Sequence, residues 1–151
     1  MLPPEGPQKP EETLSEELQR VSFELMRIVN NRDLTNPMLP RYMSPDFKQE
    51  ILSGPNPGSL SASNLSGFSD AIEGVVAADS PNFSFEILTT CAEVDEVKGT
   101  ATVWLTLRLS GYFTEQLTRD GVAKMDWRRS FGKWMCFKHT GMISAGAMLG
   151  V

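Results

Sequence analysis

Two periodicities divide this chain. From Thr13 to about Asn31 apolar residues recur every three or four positions, with Leu14, Leu18, Val21, Leu25 and Ile28 in one stripe. That spacing predicts an amphipathic helix with one buried face. Thr13 and Glu16 stand just ahead of it in the spacing of a capping box, each side chain reaching the other's backbone N–H. Glu17, Arg20, Glu24 and Arg27 fall on the solvated face. Asn36-Pro37 predicts a second helix start. That helix is short, because Pro45 drives Ser44 out of the α region, and its apolar members are Leu39, Tyr42 and Met43. Phe47 to Leu52 reads as a short strand. Ser53 to Ser63 is a run of loop formers of the length that lids, binding loops or disordered segments have, with a lid favoured. Asn64 predicts the cap of a third helix, with Leu65, Phe68, Ile72 and Val75 as its stripe and an end near Asp79-Ser80-Pro81.

Beyond Pro81 the period drops to two, the signature of half-buried strands. Phe83, Phe85 and Ile87 alternate with Ser84, Glu86 and Leu88 in a strand running towards Val94, and Asp95 to Gly99 turns it. Val103, Leu105, Leu107 and Leu109 alternate with Trp104, Thr106, Arg108 and Ser110. Arg119-Asp120-Gly121 reads as the next turn, then Ala123 to Phe131 and Trp134 to Met142 finish the sheet around Gly132-Lys133. The predicted fold class is α+β: N-terminal helices packed on a strongly curved antiparallel sheet, a cone-like barrel. Residues 1–12, rich in Pro, Glu, Gln and Gly, have little to bury and read as a disordered lead to one domain over 13–151.

Turn geometry fixes which side chains share a face. A three-residue Arg119-Asp120-Gly121 loop sets Leu109 opposite Phe131 and Phe113 opposite Trp127. A two-residue turn there would set the leucines beside Asp126 and Lys124, the poorer arrangement. A Gly132-Lys133 turn sets Phe131 opposite Trp134 and Arg129 opposite Cys136. One face then holds Leu105, Leu107, Leu109, Met125, Trp127, Phe131, Trp134 and Cys136, the expected core and pocket face. The other holds Trp104, Tyr112, Asp126, Arg128, Met135, Phe137 and His139, too apolar for bare solvent, and suggests a subunit contact.

On this register Asp126 and His139 stand opposite each other. A carboxylate beside an imidazole raises its proton affinity and orients the ring, as an acid–base pair requires, although such cross-strand pairs are also common without catalysis. Tyr42 is placed to donate a hydrogen bond into the pocket or to fill the core. Asp46 reads as a pocket carboxylate or a cap of the Phe47 strand, with the cap favoured. Arg129 reads as a rim residue, with anion anchoring as the other role. Ligand contacts fall to Met26, Phe47, Leu105, Leu107, Met125, Trp127 and Cys136.

The chain has 151 residues, ordinary globular composition and a formal net charge of −5 without a basic stripe. Such a surface repels phosphate backbones, so no nucleic-acid partner is expected. With one histidine and two distant cysteines, Cys91 and Cys136, no metal site is expected and both thiols read as buried and reduced. No signal segment or bilayer-length apolar run is visible, so no membrane partner and a cytoplasmic location are expected. There is no glycine-rich phosphate loop and no nucleophile elbow.

Three helices followed by a long bent antiparallel sheet resemble the SnoaL-like branch of the nuclear-transport-factor-2-like superfamily. The residues that carry the likeness are Tyr42-Met43-Ser44-Pro45-Asp46-Phe47, the hairpin Trp127-Arg128-Arg129-Ser130-Phe131-Gly132-Lys133-Trp134-Met135-Cys136, and the ending Phe137-Lys138-His139-Thr140-Gly141-Met142, which is similar to fungal members of unassigned function. The likeness spans about residues 13 to 142. It implies a pocket between the first helices and the concave sheet face, and a homodimer through the sheet. Its members include polyketide cyclases, isomerases, dehydratases, epoxide hydrolases and non-catalytic binders. The isomerase-type base falls near Ile51, which cannot take a proton; the scytalone dehydratase type uses two histidines where this chain has one; Asp126 roughly matches the strand position where family enzymes place an acid. The expectation is a small-molecule pocket protein, in its enzymatic form a cofactor-free isomerase, cyclase or dehydratase acting on an apolar secondary metabolite. Asp126 is then the acid or base, His139 its partner and Tyr42 a donor to a carbonyl oxygen. The alternative is a non-catalytic homodimeric binding or interaction module of the same fold.

Overall fold

The capping box forms as its spacing requires: Glu16 N–H donates to Thr13 Oγ1 at 3.1 Å and Thr13 N–H to Glu16 Oε1 at 3.0 Å. Behind it α1 runs Leu14–Asn30 and buries Leu18, Val21, Leu25, Met26 and Ile28. The structure, a computed structural model, describes residues 11–51, 64, 66–67, 84–111 and 118–143. Helix α2 is short, Met38–Tyr42, and Asn36 Oδ1 accepts from Met38 N–H at 2.9 Å. Five strands follow: β1 Met43–Ile51, β2 Ser84–Asp95, β3 Thr100–Ser110, β4 Arg119–Ser130 and β5 Lys133–Ile143. They form one sheet in the order β1-β5-β4-β3-β2. Gly67 N–H donates to Asn64 Oδ1 at 2.7 Å, as a cap there requires. The remainder of the expected third helix, its Leu65, Phe68, Ile72 and Val75 stripe, and the expected loop Ser53 to Ser63 lie outside the described residues.

Helices on a mostly antiparallel sheet give the expected α+β architecture. One pairing departs from it, since β1 lies parallel to β5 at the sheet edge. The strand also starts at Met43 rather than Phe47, and its pairing shifts between Met43 and Lys48, the stretch that holds Pro45. Proline lacks a ladder donor and is tolerated at such an edge irregularity.

Three sequence expectations about register need correction. Arg119-Asp120-Gly121 is not a turn: Gly121 lies inside β4 opposite Leu107 and Ile143. A Cβ on Gly121 would come within 2.6 Å of Leu109 Cδ1, so the glycine is there for space. Leu109 therefore faces Arg119, not Phe131. The last turn is Phe131-Gly132, both in the left-handed region (φ 51° and 75°), with Ser130 opposite Lys133. Two such residues match the twist of the flanking strands. Phe131 is thereby fully exposed instead of lying on the apolar face.

The core lies between α1 and the sheet's inner face, where Val103, Leu105, Ala123, Met125, Trp127 and Cys136 are closed to solvent. Trp127 Nε1–H donates to the buried Ser22 Oγ at 3.1 Å and ties β4 to α1. Asn30 fastens the end of α1 to β2 through both backbone polar groups of Phe85, each at 3.0 Å.

β2 and β5 each carry one extra residue. In β2 Ile87 pairs with Leu107 and Thr89 with Thr106, so Leu88 is the bulge. In β5 Trp127 pairs with Cys136 and Asp126 with Lys138, so Phe137 is the bulge. An inserted residue bends a strand and reverses which side chains point inward after it. Thus Thr90, Ala92 and Val94 turn inward in β2 and Cys91 turns outward. The expectation that both thiols are buried is corrected: Cys91 is exposed and only Cys136 is buried, both unpaired.

Candidate functional site

The bulge at Phe137 has its largest effect at His139. Before it, Trp134 and Cys136 share the inner side with Trp127; after it, His139 does, opposite Met125 of β4. On the other flank His139 pairs with Gln49 of β1. Phe47 and Gln49 alternate there with the exposed Lys48 and Glu50, so both point inward. His139 is 8% exposed and Gln49 5% exposed, among the few polar groups buried in the described residues.

Gln49 Nε2 lies 3.2 Å from His139 Nδ1. The far atom of each group, Gln49 Oε1 and His139 Nε2, is buried without a hydrogen-bond partner among the described residues. A buried polar atom left unpaired costs about 1–3 kcal/mol. Two such atoms on one pair of touching groups are left unsatisfied by the described residues. Burial lowers the His139 pKa to about 4, because it penalises the charged form of the ring. The imidazole is therefore neutral at pH 7. An amide N–H donating to Nδ1 leaves the ring proton on Nε2.

Asp126 stands elsewhere. It pairs with Lys138 and lies on the outer face, where it accepts from Thr102 Oγ1 at 2.9 Å and has Lys124 Nζ at 3.9 Å. The expected Asp126–His139 pair does not form: the extra residue in β5 sends the two side chains to opposite faces. Tyr42 ends α2 and meets Trp127 edge to face, ring centroids 6.5 Å apart and planes at 68°. It directly precedes Met43, the first residue of β1, which pairs with Cys136. The seven expected ligand contacts, Met26, Phe47, Leu105, Leu107, Met125, Trp127 and Cys136, all belong to one buried hydrophobic cluster. Burial pushes the Cys136 thiol up, well above the usual range, and its Sγ lies 3.6 Å from Lys138 O. It is an inert packing group rather than a nucleophile.

Asp46 and Arg128 form an outer-face pair at 2.9 Å, joined by Ser44 Oγ, which also bonds Asp46. Arg129 takes the rim position, its guanidinium on Glu96 O at 3.1 Å and 5.7 Å from the Trp134 ring.

A separate cleft of about 540 Å³ opens between α2 and the start of β1, lined by Leu34, Leu39, Pro40, Met43, Pro45, Asn64 and Ser66. It has ligand dimensions. Its lining holds no titratable side chain among the described residues, and its Met43 pairs with Cys136, three residues before His139 in β5. The cleft offers shape without acid–base chemistry; the His139–Gln49 pair offers the chemistry. Sequence reasoning missed Gln49, although its alternation with Phe47 was the available signal.

No protein-family model and no curated protein matches the sequence. Solved structures do match in three dimensions. An NTF2-like protein of unknown function from Pseudomonas putida KT2440 has a TM-score of 0.64 at 14% identity, covering 85% of this chain and 84% of that one. A hexachlorocyclohexane dehydrochlorinase, LinA-type3, from Novosphingobium barchaimii LL02 has a TM-score of 0.70 at 14% identity, covering 89% of each chain. A putative scytalone dehydratase from Novosphingobium aromaticivorans DSM 12444 has 0.58 at 15% identity, covering 84% and 81%. At such identities the likeness is one of fold: the chain has the NTF2-like, cone-shaped α+β architecture.

Proposed function

We propose that this protein binds an apolar small molecule inside its cone, with His139 and Gln49 as its polar contacts. The observation that carries this is the pair of buried, unpartnered atoms, Gln49 Oε1 and His139 Nε2, beside Met125 of the hydrophobic core. The fold supports it, being shared with enzymes whose names denote small-molecule eliminations. In its enzymatic form the protein is a cofactor-free isomerase, cyclase or dehydratase of the SnoaL-like kind, acting in the cytoplasm on an apolar secondary metabolite. A neutral imidazole there donates a hydrogen bond to an oxygen that gains charge in the reaction. Asp126 has no part in this chemistry, since its carboxylate belongs to the outer face. Tyr42, packed on Trp127, helps to close the apolar wall.

A thermal-shift screen of uncharged terpenoid and polycyclic compounds tests the reading. Wild type is expected to rise in Tm with at least one class, and His139→Ala and Gln49→Ala, folded by circular dichroism, are expected to lose that rise. Equal shifts in all three proteins reject the site.

A further inference from the structure

The two unpartnered atoms also specify what kind of polar group the ligand bears. In the Gln49 Nε2 to His139 Nδ1 contact of 3.2 Å, one side gives a proton and the other takes it. A neutral imidazole has one donor and one acceptor, and a carboxamide has an acceptor oxygen and two N–H donors. Once each has used one function on the other, the remainder is fixed. As the structure stands, His139 Nε2–H is left to donate and Gln49 Oε1 to accept. Turning the amide over exchanges the two roles: either way the two far atoms are one donor and one acceptor, and the Gln49 amide keeps one further N–H.

We infer that the natural ligand is uncharged and bears a hydroxyl, an alcohol or hydroxy-ketone that both takes a hydrogen bond from this pair and returns one to it. This rests on the interior-site reading above and narrows it. A bare ketone or ether satisfies only the donor and leaves the acceptor without a proton. A hydrocarbon satisfies neither. A carboxylate brings a charge to an interior whose buried polar residues, among those described across the chain, include no cation. Its oxygens would also oppose the Gln49 carbonyl oxygen. Unpaired buried partners are what lets a site reject an analogue lacking one hydroxyl far more strongly than one lacking a methylene. The cross-strand neighbour Met125 and the adjacent Phe47, both buried, give the rest of the molecule an apolar setting.

His139 is the only histidine of the chain, so its ring nitrogens give an unambiguous ¹⁵N NMR signature. Full-length protein is titrated with two matched probe sets: cyclohexanol, cyclohexanone, methylcyclohexane and cyclohexanecarboxylate, and the corresponding 1-tetralol, 1-tetralone, tetralin and tetralin-1-carboxylate. The alcohols are expected to move the His139 Nε2 resonance and to bind about tenfold tighter than the ketone or hydrocarbon of the same skeleton, one missing hydrogen bond. The carboxylates are expected not to bind. Gln49→Leu is expected to reduce the preference for the alcohol over the hydrocarbon of the same skeleton to about twofold. Ketone and hydrocarbon binding as tightly as the alcohol overturns the inference and leaves the interior site standing. A His139 ring that no probe perturbs, its Nε2 occupied by water alone, overturns both.

Discussion

A neutral imidazole held away from water ties the stability of this protein to pH. In the unfolded chain His139 takes a proton near pH 6.5; in the fold burial holds it neutral down to about pH 4. Between those values the unfolded state binds more protons, so stability falls as the solution is acidified through the window. The contribution is complete above pH 6.5 and amounts to about 3 kcal/mol across it. Carboxylates titrate in the same range, so the informative quantity is a difference between proteins. The loss of unfolding free energy between pH 7.5 and pH 4.5, from urea titrations, is expected to be about 2–3 kcal/mol smaller in His139→Gln than in wild type. Parallel profiles would show that the ring reaches water. The residue's role was half legible in the sequence. A single histidine among strand residues was visible as candidate chemistry; its partner was not, because Gln49 is ninety positions away and joins it through a parallel pairing.

At the scale of elements, two single-residue insertions decide which chemistry faces where. Alternation along β3 and β4 was legible, and the inward set Leu105, Leu107, Met125 and Trp127 is as expected. It survives a register displaced by twelve residues (Leu109 opposite Arg119 rather than Phe131), because an even displacement keeps every side chain on its face. The bulges at Leu88 and Phe137 are odd displacements, and they invert Cys91 and His139. Nothing local in Ile87-Leu88-Thr89 or Cys136-Phe137-Lys138 announces an extra residue; the bend that needs it is a property of the whole sheet. The thiols report this directly. In native protein Ellman's reagent is expected to titrate one cysteine promptly and the second only in denaturant, and Cys91→Ser is expected to leave the native protein unreactive. Two prompt thiols would place Cys136 at the surface, and none would remove the Leu88 bulge.

For the molecule as a whole, the proposed homodimer is tested at the outer sheet face. Trp104, Met135 and Phe137 are half-buried there, with Lys124 over the Trp104 ring at 5.4 Å and Arg128 over Phe137 at 4.9 Å. Cations lying on rings leave a surface that is apolar beneath and charged at its rim, the composition of a protein contact. The reading as a homodimer through this face requires about 800 Å² from each protomer for a stable pair. Each copy carries a net charge of −5, so two copies repel at low salt and the repulsion is screened as salt rises. Light scattering is therefore expected to give twice the chain mass for wild type, with the dimer favoured in 0.5 M over 0.05 M sodium chloride, on the order of a Debye length of 5 Å against 14 Å. Trp104→Glu, which places a carboxylate in the middle of that face, is expected to give the single-chain mass at both salt concentrations while keeping the wild-type circular dichroism spectrum. Wild type found as a monomer at every salt and protein concentration removes the interface, leaving the interior pair of His139 and Gln49 as the molecule's recognition chemistry.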